Sequence, residues 1–172
     1  YFKGNALRML GRYEDALRAL DRVLELSPDD VDTLYFKGNA LRMLGRYEDA
    51  LEALDRALEL SPDDVDTLYF KGDTLRMLER YEDALEALDR VLELSPENAS
   101  VLRTKGIVLG ALGSYEDALR VLERALELSP DDVDTLFSKG DTLRMLGRYE
   151  EALQLLDRTL ALGGNKALIL AS

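Results

Sequence analysis

The sequence contains no cysteine and no histidine. Without cysteine, the chain forms no disulfide bond and offers no thiolate as a metal ligand or as a nucleophile. Without histidine, it lacks the side chain that proteins use most often as a general base and as a metal ligand. We therefore expect a protein that is not an enzyme, with no catalytic residues, no cofactor and no metal site.

Positive charge and long hydrophobic runs are also scarce. Acidic residues outnumber basic ones by 34 to 22, and the formal net charge is −12, whereas a nucleic-acid-binding surface needs a basic face. No apolar run is long enough to cross a membrane, and no basic segment followed by an apolar one forms a secretion signal. We expect a cytoplasmic protein with a hydrated surface that binds neither nucleic acid nor membrane. Attraction of basic partners is the alternative interpretation of the charge.

What the chain does contain is a repeat with a period of 34 residues. The segment YFKGNALRMLGRYEDAL begins at Tyr1 and again at Tyr35, and related segments begin at Tyr69, Arg103 and Phe137. Each repeat is too small to bury its own apolar face, so neighbouring repeats must stack. We predict one array over residues 1–172, with repeats 1 to 5 at about 1–30, 31–64, 65–98, 99–132 and 133–164 and a tail at 165–172. The near-identity of repeats 1 and 2 indicates recent duplication or deliberate consensus design.

Repeat 2 shows the pattern of a single repeat most clearly. A first helix carries apolar or small residues at three- and four-residue spacing, at Leu34, Gly38, Leu41 and Leu44. Gly45 then ends this helix, because glycine readily adopts a positive φ. A second helix carries its stripe at Tyr47, Ala50, Leu51, Leu54, Ala57 and Leu58. Pro62 stops it, and we expect Ser61 or Asp63 to cap the helix that follows.

Glycine occupies the position of Gly38 in every repeat. A glycine inside a helix costs about 1 kcal/mol relative to alanine, so we infer that the two helices of each repeat approach closely there. The turn glycine is kept less strictly, because repeat 3 has Glu79 where repeat 2 has Gly45. If Glu79 is left-handed, it carries strain of roughly 1 kcal/mol.

A lysine precedes this glycine in every repeat, and a carboxylate follows 18 residues after each lysine. The pairs are Lys3 and Asp21, Lys37 and Asp55, Lys71 and Asp89, Lys105 and Glu123, and Lys139 and Asp157. We predict an ion pair between the two helices of each repeat. The alternative is a lysine stem that covers apolar surface while its ammonium group stays in water.

A helical pair of 34 residues with this spacing of leucine, glycine, tyrosine, alanine and proline resembles the tetratricopeptide repeat. The resemblance covers essentially the whole chain, although leucine replaces the usual tryptophan of the family at Leu34, Leu68, Leu102 and Leu136. It implies an all-α fold, an α-solenoid of antiparallel helix pairs stacked into a right-handed superhelix. It also implies that the first helices line a concave groove.

By this resemblance, the groove is lined by first-helix residues that point away from the apolar stripe, and we call this set the first-helix face. Its tyrosine, arginine and methionine positions recur across repeats and are broken in repeat 4, and these residue types are enriched in protein interfaces. The alternative is that duplication copied them without selection. The candidate peptide-binding residues are Tyr1, Asn5, Arg8, Met9, Asp32, Tyr35, Phe36, Asn39, Arg42, Met43, Asp66, Tyr69, Phe70, Asp73, Arg76, Met77, Arg103, Phe137, Asp141, Arg144 and Met145.

The charges on this face bear on the partner. Some members of the family grip an acidic chaperone C-terminus with a carboxylate clamp, but Tyr35 and Asp66 stand here where that clamp needs basic residues. Asp32, Asp66 and Asp134 beside arginines favour a protein or peptide of mixed or basic charge. We predict a non-catalytic protein–protein interaction scaffold that binds an extended peptide or a helix. The alternatives are self-association through the terminal faces or residues 163–172, and a designed scaffold without a native ligand.

Overall fold

The computed structural model describes the backbone of residues 12–170 and the side chains of residues 12–162. In this part of the chain every regular element is an α-helix, and the chain divides into two compact units, Tyr1–Leu94 and Ser95–Ser172. Unit 1 contains α1 (Tyr13–Leu26), α2 (Val31–Met43), α3 (Tyr47–Leu60), α4 (Val65–Met77) and α5 (Tyr81–Leu94). Unit 2 contains α6 (Ala99–Ala111), α7 (Tyr115–Leu128), α8 (Val133–Met145) and α9 (Tyr149–Leu170).

Helices that follow one another in the chain pack together inside each unit. In unit 1, α2 packs on α3 and α4 on α5 as the two helices of one repeat, while α1 contacts α2 and α3 contacts α4. Unit 2 has the same arrangement, with α6 on α7, α8 on α9, and α7 against α8. The first helices of successive repeats also touch, α2 with α4 and α6 with α8. This last contact places the side chains of two neighbouring first helices on one surface.

The first helices begin at an aspartate or asparagine cap. The Asp64 carboxylate accepts a hydrogen bond of 2.8 Å from the Thr67 N–H at the start of α4, and the equivalent caps are Asp30, Asn98 and Asp132. The expectation that Ser61 or Asp63 caps α4 is therefore wrong. Extended backbone at Asp64 sets its side chain against the first turn, whereas Ser61 closes α3 and Asp63 pairs with Arg90.

The turn between the helices of one repeat requires a left-handed residue. Gly45, Gly113 and Gly147 have φ values of 73°, 76° and 74°, and Glu79 takes the same conformation with φ 58°. The condition stated for Glu79 is therefore met, since its backbone is left-handed. Because its Cβ crowds the backbone in this conformation, Glu79 carries strain that glycine at the same position does not.

At the position of Gly38, which is glycine in every repeat, the two helices of a repeat approach closely in three of the four described pairs. A Cβ added to Gly38 would lie 2.7 Å from Cγ of Leu54, and one added to Gly106 would lie 2.6 Å from Cγ of Leu122. Both leucines are fully buried, so an added Cβ would require them to shift within the core. The inference of close packing at this glycine is confirmed for these pairs, and Gly72 of repeat 3 has equivalent contacts.

The last pair, α8 and α9, packs more loosely. A Cβ added to Gly140 would meet nothing nearer than 4.0 Å, and one of the two atoms at that distance is Cβ of Leu155. Leu155 stands where repeats 2 and 3 have Ala53 and Ala87. Leu156, the counterpart of the buried Leu54, is 41% exposed.

The lysine beside this glycine faces a different neighbour from the predicted one. Nζ of Lys37 lies 2.7 Å from Oδ1 of Asp21, and Nζ of Lys71 lies 2.7 Å from Oδ1 of Asp55. In unit 2, Lys139 pairs with Glu123 at 3.0 Å. Each of these lysines therefore binds the second helix of the preceding repeat, and the prediction of a pair within one repeat is wrong.

Helix geometry explains this correction. Successive residues of an α-helix are separated by about 100° around the axis, so the lysine and the glycine after it face different helices. Leu34 and Leu41, three residues before and four after Lys37, lie with it beside α1, whereas Gly38 faces Leu54 of α3. Lys3, the first lysine of the series, lies outside the described residues.

The end of the described chain is a single long helix. The backbone of α9 runs from Tyr149 to Leu170, so the predicted tail is continuous with the second helix of repeat 5 up to that residue. None of the described helices combines the length and the apolar character that crossing a bilayer requires.

Candidate functional site

The first-helix face is carried by α2 and α4 in unit 1 and by α6 and α8 in unit 2. Its predicted residues Tyr1, Asn5, Arg8 and Met9 lie outside the described part of the chain. The others all lie on these four helices, where successive first helices touch. The two units present this face differently, and each is described by itself.

In unit 1, the aromatic side chains of α2 and α4 form one cluster. The ring centroids of Tyr35 and Phe36 are 5.0 Å apart, and the ring of Tyr35 reaches across to Phe70 of α4 at 5.6 Å. Tyr69 lies 5.5 Å from Phe70 on the same helix. All four rings are half-buried, so the aromatic positions both hold the two helices together and present ring surface to solvent.

A network of ion pairs covers the part of the first-helix face that lies next to this aromatic cluster in unit 1. Nη1 of Arg42 donates to Oδ2 of Asp73 at 2.8 Å, and Arg76 donates to Oδ1 of the same carboxylate at 2.8 and 3.0 Å. The guanidinium carbon of Arg42 also lies 5.0 Å from the ring centroid of Phe70, within the range of a cation–π interaction. The Asp73 side chain is only 15% exposed. Both oxygens of this carboxylate are therefore occupied by arginines of the same unit.

The side chains that unit 1 does present to solvent are a subset of the predicted ones. Met43 and Met77 are 48% and 40% exposed, and Asp32 and Asp66 are exposed at the start of α2 and α4. Asn39, in contrast, is 4% exposed, so its amide lies under the face and does not contribute to the accessible surface.

In unit 2, substitutions in repeat 4 open a pocket on this face. Ile107, Gly110 and Ala111 of α6 stand where repeat 2 has Asn39, Arg42 and Met43. The pocket between α6 and α8, which we call the unit 2 pocket, has a volume of about 530 Å³. It is lined by Gly106, Ile107, Gly110, Ala111, Tyr115, Asp134, Phe137, Ser138, Asp141, Thr142 and Met145.

The charged groups around the unit 2 pocket are paired more simply than those of unit 1. Asp141 accepts hydrogen bonds of 2.7 and 3.0 Å from Arg144 on its own helix, and both side chains are more than half exposed. Arg103, which replaces the tyrosine of repeat 2, lies 3.0 Å from Oδ2 of Asp134 and 3.5 Å from Oδ2 of Asp132. Phe137 is 60% exposed and Met145 is 46% exposed. The pocket therefore combines apolar walls with two carboxylates.

Sequence reasoning found the break in repeat 4 but not its consequence. Ile107, Gly110, Ala111, Tyr115 and Ser138 line the unit 2 pocket and were absent from the predicted site. The available signal was a change of size: both the arginine and the methionine position become small in the same repeat. Paired helices separated by short side chains leave a cavity unless the backbone moves to fill it.

A second exposed apolar surface lies on α9. Tyr149, Leu153, Leu156 and Leu160 share one side of this helix at three- and four-residue spacing. They are 60%, 61%, 41% and 72% exposed, respectively. As for metal sites, no group of three acidic side chains in the described residues is arranged to hold a cation.

Comparison with known proteins agrees with this architecture. The family model for the tetratricopeptide repeat matches residues 2–65, 44–99 and 103–167, and no curated protein matches the chain. Among solved structures, a crystal structure of MamA is 26% identical over 95% of this chain and 96% of that one, with a TM-score of 0.84. MamA AMB-1 is 29% identical over 95% and 96%, with a TM-score of 0.83.

MamA 41-end from Desulfovibrio magneticus RS-1 is 24% identical over 94% of this chain and 92% of that one, with a TM-score of 0.87, and this likeness shows the fold alone. The predicted all-α solenoid of helix pairs is confirmed by these matches. Because the family model covers nearly the whole sequence, the chain belongs to the tetratricopeptide repeat family.

Proposed function

We propose that this tetratricopeptide repeat scaffold binds an extended peptide or a helix of a protein partner on its first-helix face, without catalysing a reaction. The observation that carries the proposal is the exposure of large apolar side chains on this face. Phe137 is 60% exposed, and Met43, Met77 and Met145 are 40% to 48% exposed. Clustered apolar side chains at a protein surface commonly mark an interaction site, and methionine adapts to partners of different shape.

The charges on the face support a partner of mixed or basic charge. Asp32, Asp66 and Asp134 are exposed along the starts of α2, α4 and α8. The arginines Arg42 and Arg103 already pair with carboxylates of the chain itself, which leaves them less available to an acidic ligand. We also propose a cytoplasmic setting, because a chain without cysteine gains no disulfide from an oxidising compartment.

A peptide library titrated against the full chain tests this proposal. We expect the selected peptides to lose about tenfold in affinity on Tyr35→Ala, Met43→Ala or Phe137→Ala, because each removes side-chain surface that the first-helix face presents to solvent. Glu52→Ala is the matched control, since Glu52 is exposed on the second helix α3. Binders that tolerate all three face variants, or that respond equally to Glu52→Ala, would place the binding elsewhere.

The exposed stripe on α9 favours self-association as a second candidate function. Leu153 and Leu160 are more exposed than their counterparts Leu51 and Leu58 in repeat 2, which are half-buried. Light scattering over a range of concentrations, with and without residues 163–172, measures whether copies associate. We expect Leu160→Glu to weaken association and Gln154→Glu, an exposed control on the same helix, to leave it unchanged. A monomer at every concentration would exclude this candidate.

A further inference from the structure

The unit 2 pocket lies at the place where unit 1 holds one of its own arginines. Helices α6 and α8 correspond to α2 and α4 with an offset of two repeats, so Gly110 corresponds to Arg42 and Asp141 to Asp73. In unit 1, the Arg42 guanidinium fills the space between the two helices and binds Oδ2 of Asp73 at 2.8 Å. Unit 2 keeps the carboxylate and lacks the arginine.

The space that Arg42 occupies in unit 1 is open in unit 2. A Cβ added to Gly110 would meet no atom within 4 Å, and Ser138 replaces the bulky Phe70 on the facing helix. Both changes remove side-chain volume from the same place. The resulting pocket of about 530 Å³ is within the usual size range of ligand sites, about 300 to 1,000 Å³.

Among the described residues, only one of the two carboxylate oxygens of Asp141 accepts hydrogen bonds from an arginine, whereas both oxygens of Asp73 do. Oδ1 of Asp141 accepts two hydrogen bonds from Arg144 at 2.7 and 3.0 Å, as Oδ1 of Asp73 does from Arg76. In the part of the chain that the structure describes, no second arginine reaches Oδ2 of Asp141. A carboxylate can accept hydrogen bonds at both oxygens, so this oxygen can take a further cationic donor.

The walls of the pocket suit a guanidinium with its aliphatic stem. Phe137 and Tyr115 line it, and an aromatic ring attracts a cation placed over its face, as Phe70 attracts Arg42 in unit 1. Ile107 and Met145 provide apolar surface for the methylene groups that an arginine buries beside its charged end. Arginine fits this combination better than lysine, because its planar group stacks on rings and donates in a fixed geometry.

We propose that the unit 2 pocket binds the guanidinium of an arginine from a partner peptide, held by Asp141 in the way that Asp73 holds Arg42. The inference rests on the proposed function, since it assumes that the first-helix face receives a peptide, and it adds the chemistry of the residue that anchors that peptide. Unit 1 supplies this cation from its own chain, whereas unit 2 receives it from the partner.

Titration of the full chain with the blocked peptide acetyl-Leu-Arg-Leu-amide, followed by NMR, tests the assignment. We expect saturable shifts of the backbone amides of α6 and α8. The same peptide with citrulline, an uncharged isostere of arginine, should bind at least about tenfold more weakly, because a charge-assisted hydrogen bond is lost. Asp141→Asn should weaken the arginine peptide to a similar extent. Asp117→Asn on α7, exposed in the same unit, is the control that should change nothing.

Gly110→Arg provides a variant that blocks the site without removing the carboxylate. Its guanidinium should occupy the pocket as Arg42 does and abolish binding of the arginine peptide. Equal affinity for the arginine and citrulline peptides, or no saturable shift in unit 2, would overturn the inference. If library peptides still bind the first-helix face without a preference for arginine, the proposed function stands and only this inference fails. If no library peptide binds this face, the proposed function itself fails.

Discussion

Unit 1 and unit 2 are built from the same repeat, but their first-helix faces differ in what they hold. In unit 1, Asp73 binds Arg42 and Arg76, and the face is closed by contacts within the chain. In unit 2, Asp141 binds Arg144 alone, beside a pocket. Gly110 stands where unit 1 has Arg42, so the second guanidinium is missing in unit 2. Unit 2 therefore has short side chains and a pocket where unit 1 has a covered surface, and it keeps the carboxylate.

The last helix pair of unit 2 also closes less tightly than the pairs of unit 1, although Gly106 in the first pair of unit 2 has the same close contact as they have. In unit 1, Gly38 and Gly72 lie against fully buried leucines, whereas Gly140 in unit 2 has no such contact. The looser pair is the one in which Leu155 replaces an alanine. The same glycine therefore has a packing role in unit 1 that it lacks at the end of unit 2.

Substitution of these glycines should have the largest effect. We expect Gly38→Ala to lower the free energy of unfolding by about 1 to 3 kcal/mol, because its Cβ overlaps Leu54 in a filled core. Gly140→Ala should instead leave stability unchanged or raise it by up to about 1 kcal/mol, since alanine is the better helix former. Urea unfolding of both variants measures the difference. Equal losses at the two positions would contradict the described packing of α9.

Neutralising Asp73 or Asp141 should have a smaller effect on the free energy of unfolding, and this effect should differ between the two units. Asp73→Asn should cost about 1 kcal/mol, because two half-buried arginines lose a charged acceptor. Asp141→Asn should change the free energy of unfolding by less than about 0.5 kcal/mol, since its single pair is well exposed to solvent. Thermal unfolding at low and high salt checks both values. A larger loss at Asp141 than at Asp73 would reverse the comparison.

Exchange of the turn residue should have the smallest effect. Glu79→Gly relieves left-handed strain and should stabilise unit 1 by about 0.5 to 1 kcal/mol, the unfolded-state entropy of glycine offsetting part of the gain. The reverse change in unit 2, Gly147→Glu, should destabilise it by a similar amount, because φ there is 74°. Chemical denaturation of the two variants measures whether the change in strain outweighs the change in unfolded-state entropy. If both substitutions shift stability in the same direction, left-handed strain does not determine the effect of this turn residue.

Sequence reasoning reached the fold because the repeat period, the helix spacing and the recurring glycine all reflect local requirements. The close approach at Gly38 followed from elementary packing constraints, and the possible strain at Glu79 followed from its place in a turn where the other repeats have glycine. The partner of Lys37 did not follow, since spacing along a helix defines its faces but not the neighbour that each face meets. A carboxylate 18 residues after the lysine is compatible with a contact between the two helices of one repeat. The stacking of repeats instead brings Asp21 of the preceding repeat next to Lys37.

The candidate site was predictable as a face but not as a pocket. The residues of the first-helix face follow from their position opposite the apolar stripe. Whether they are available to a ligand depends on pairing between helices, and Arg42 was predicted as a peptide contact although it is bound by Asp73. The unit 2 pocket arises from residues that are small, and small residues carry no chemical signature of their own in a sequence.

If Asp141 retains a place for a cation that unit 1 fills with Arg42, an arginine introduced at position 110 should occupy it. The most direct measurement is a crystal structure of the Gly110→Arg variant. We expect the introduced guanidinium to lie about 2.8 Å from Oδ2 of Asp141, the usual length of a charge-assisted hydrogen bond, with Arg144 still on Oδ1. A guanidinium directed into solvent, with the unit 2 pocket still open beside it, would show that Asp141 does not hold a cation in this way.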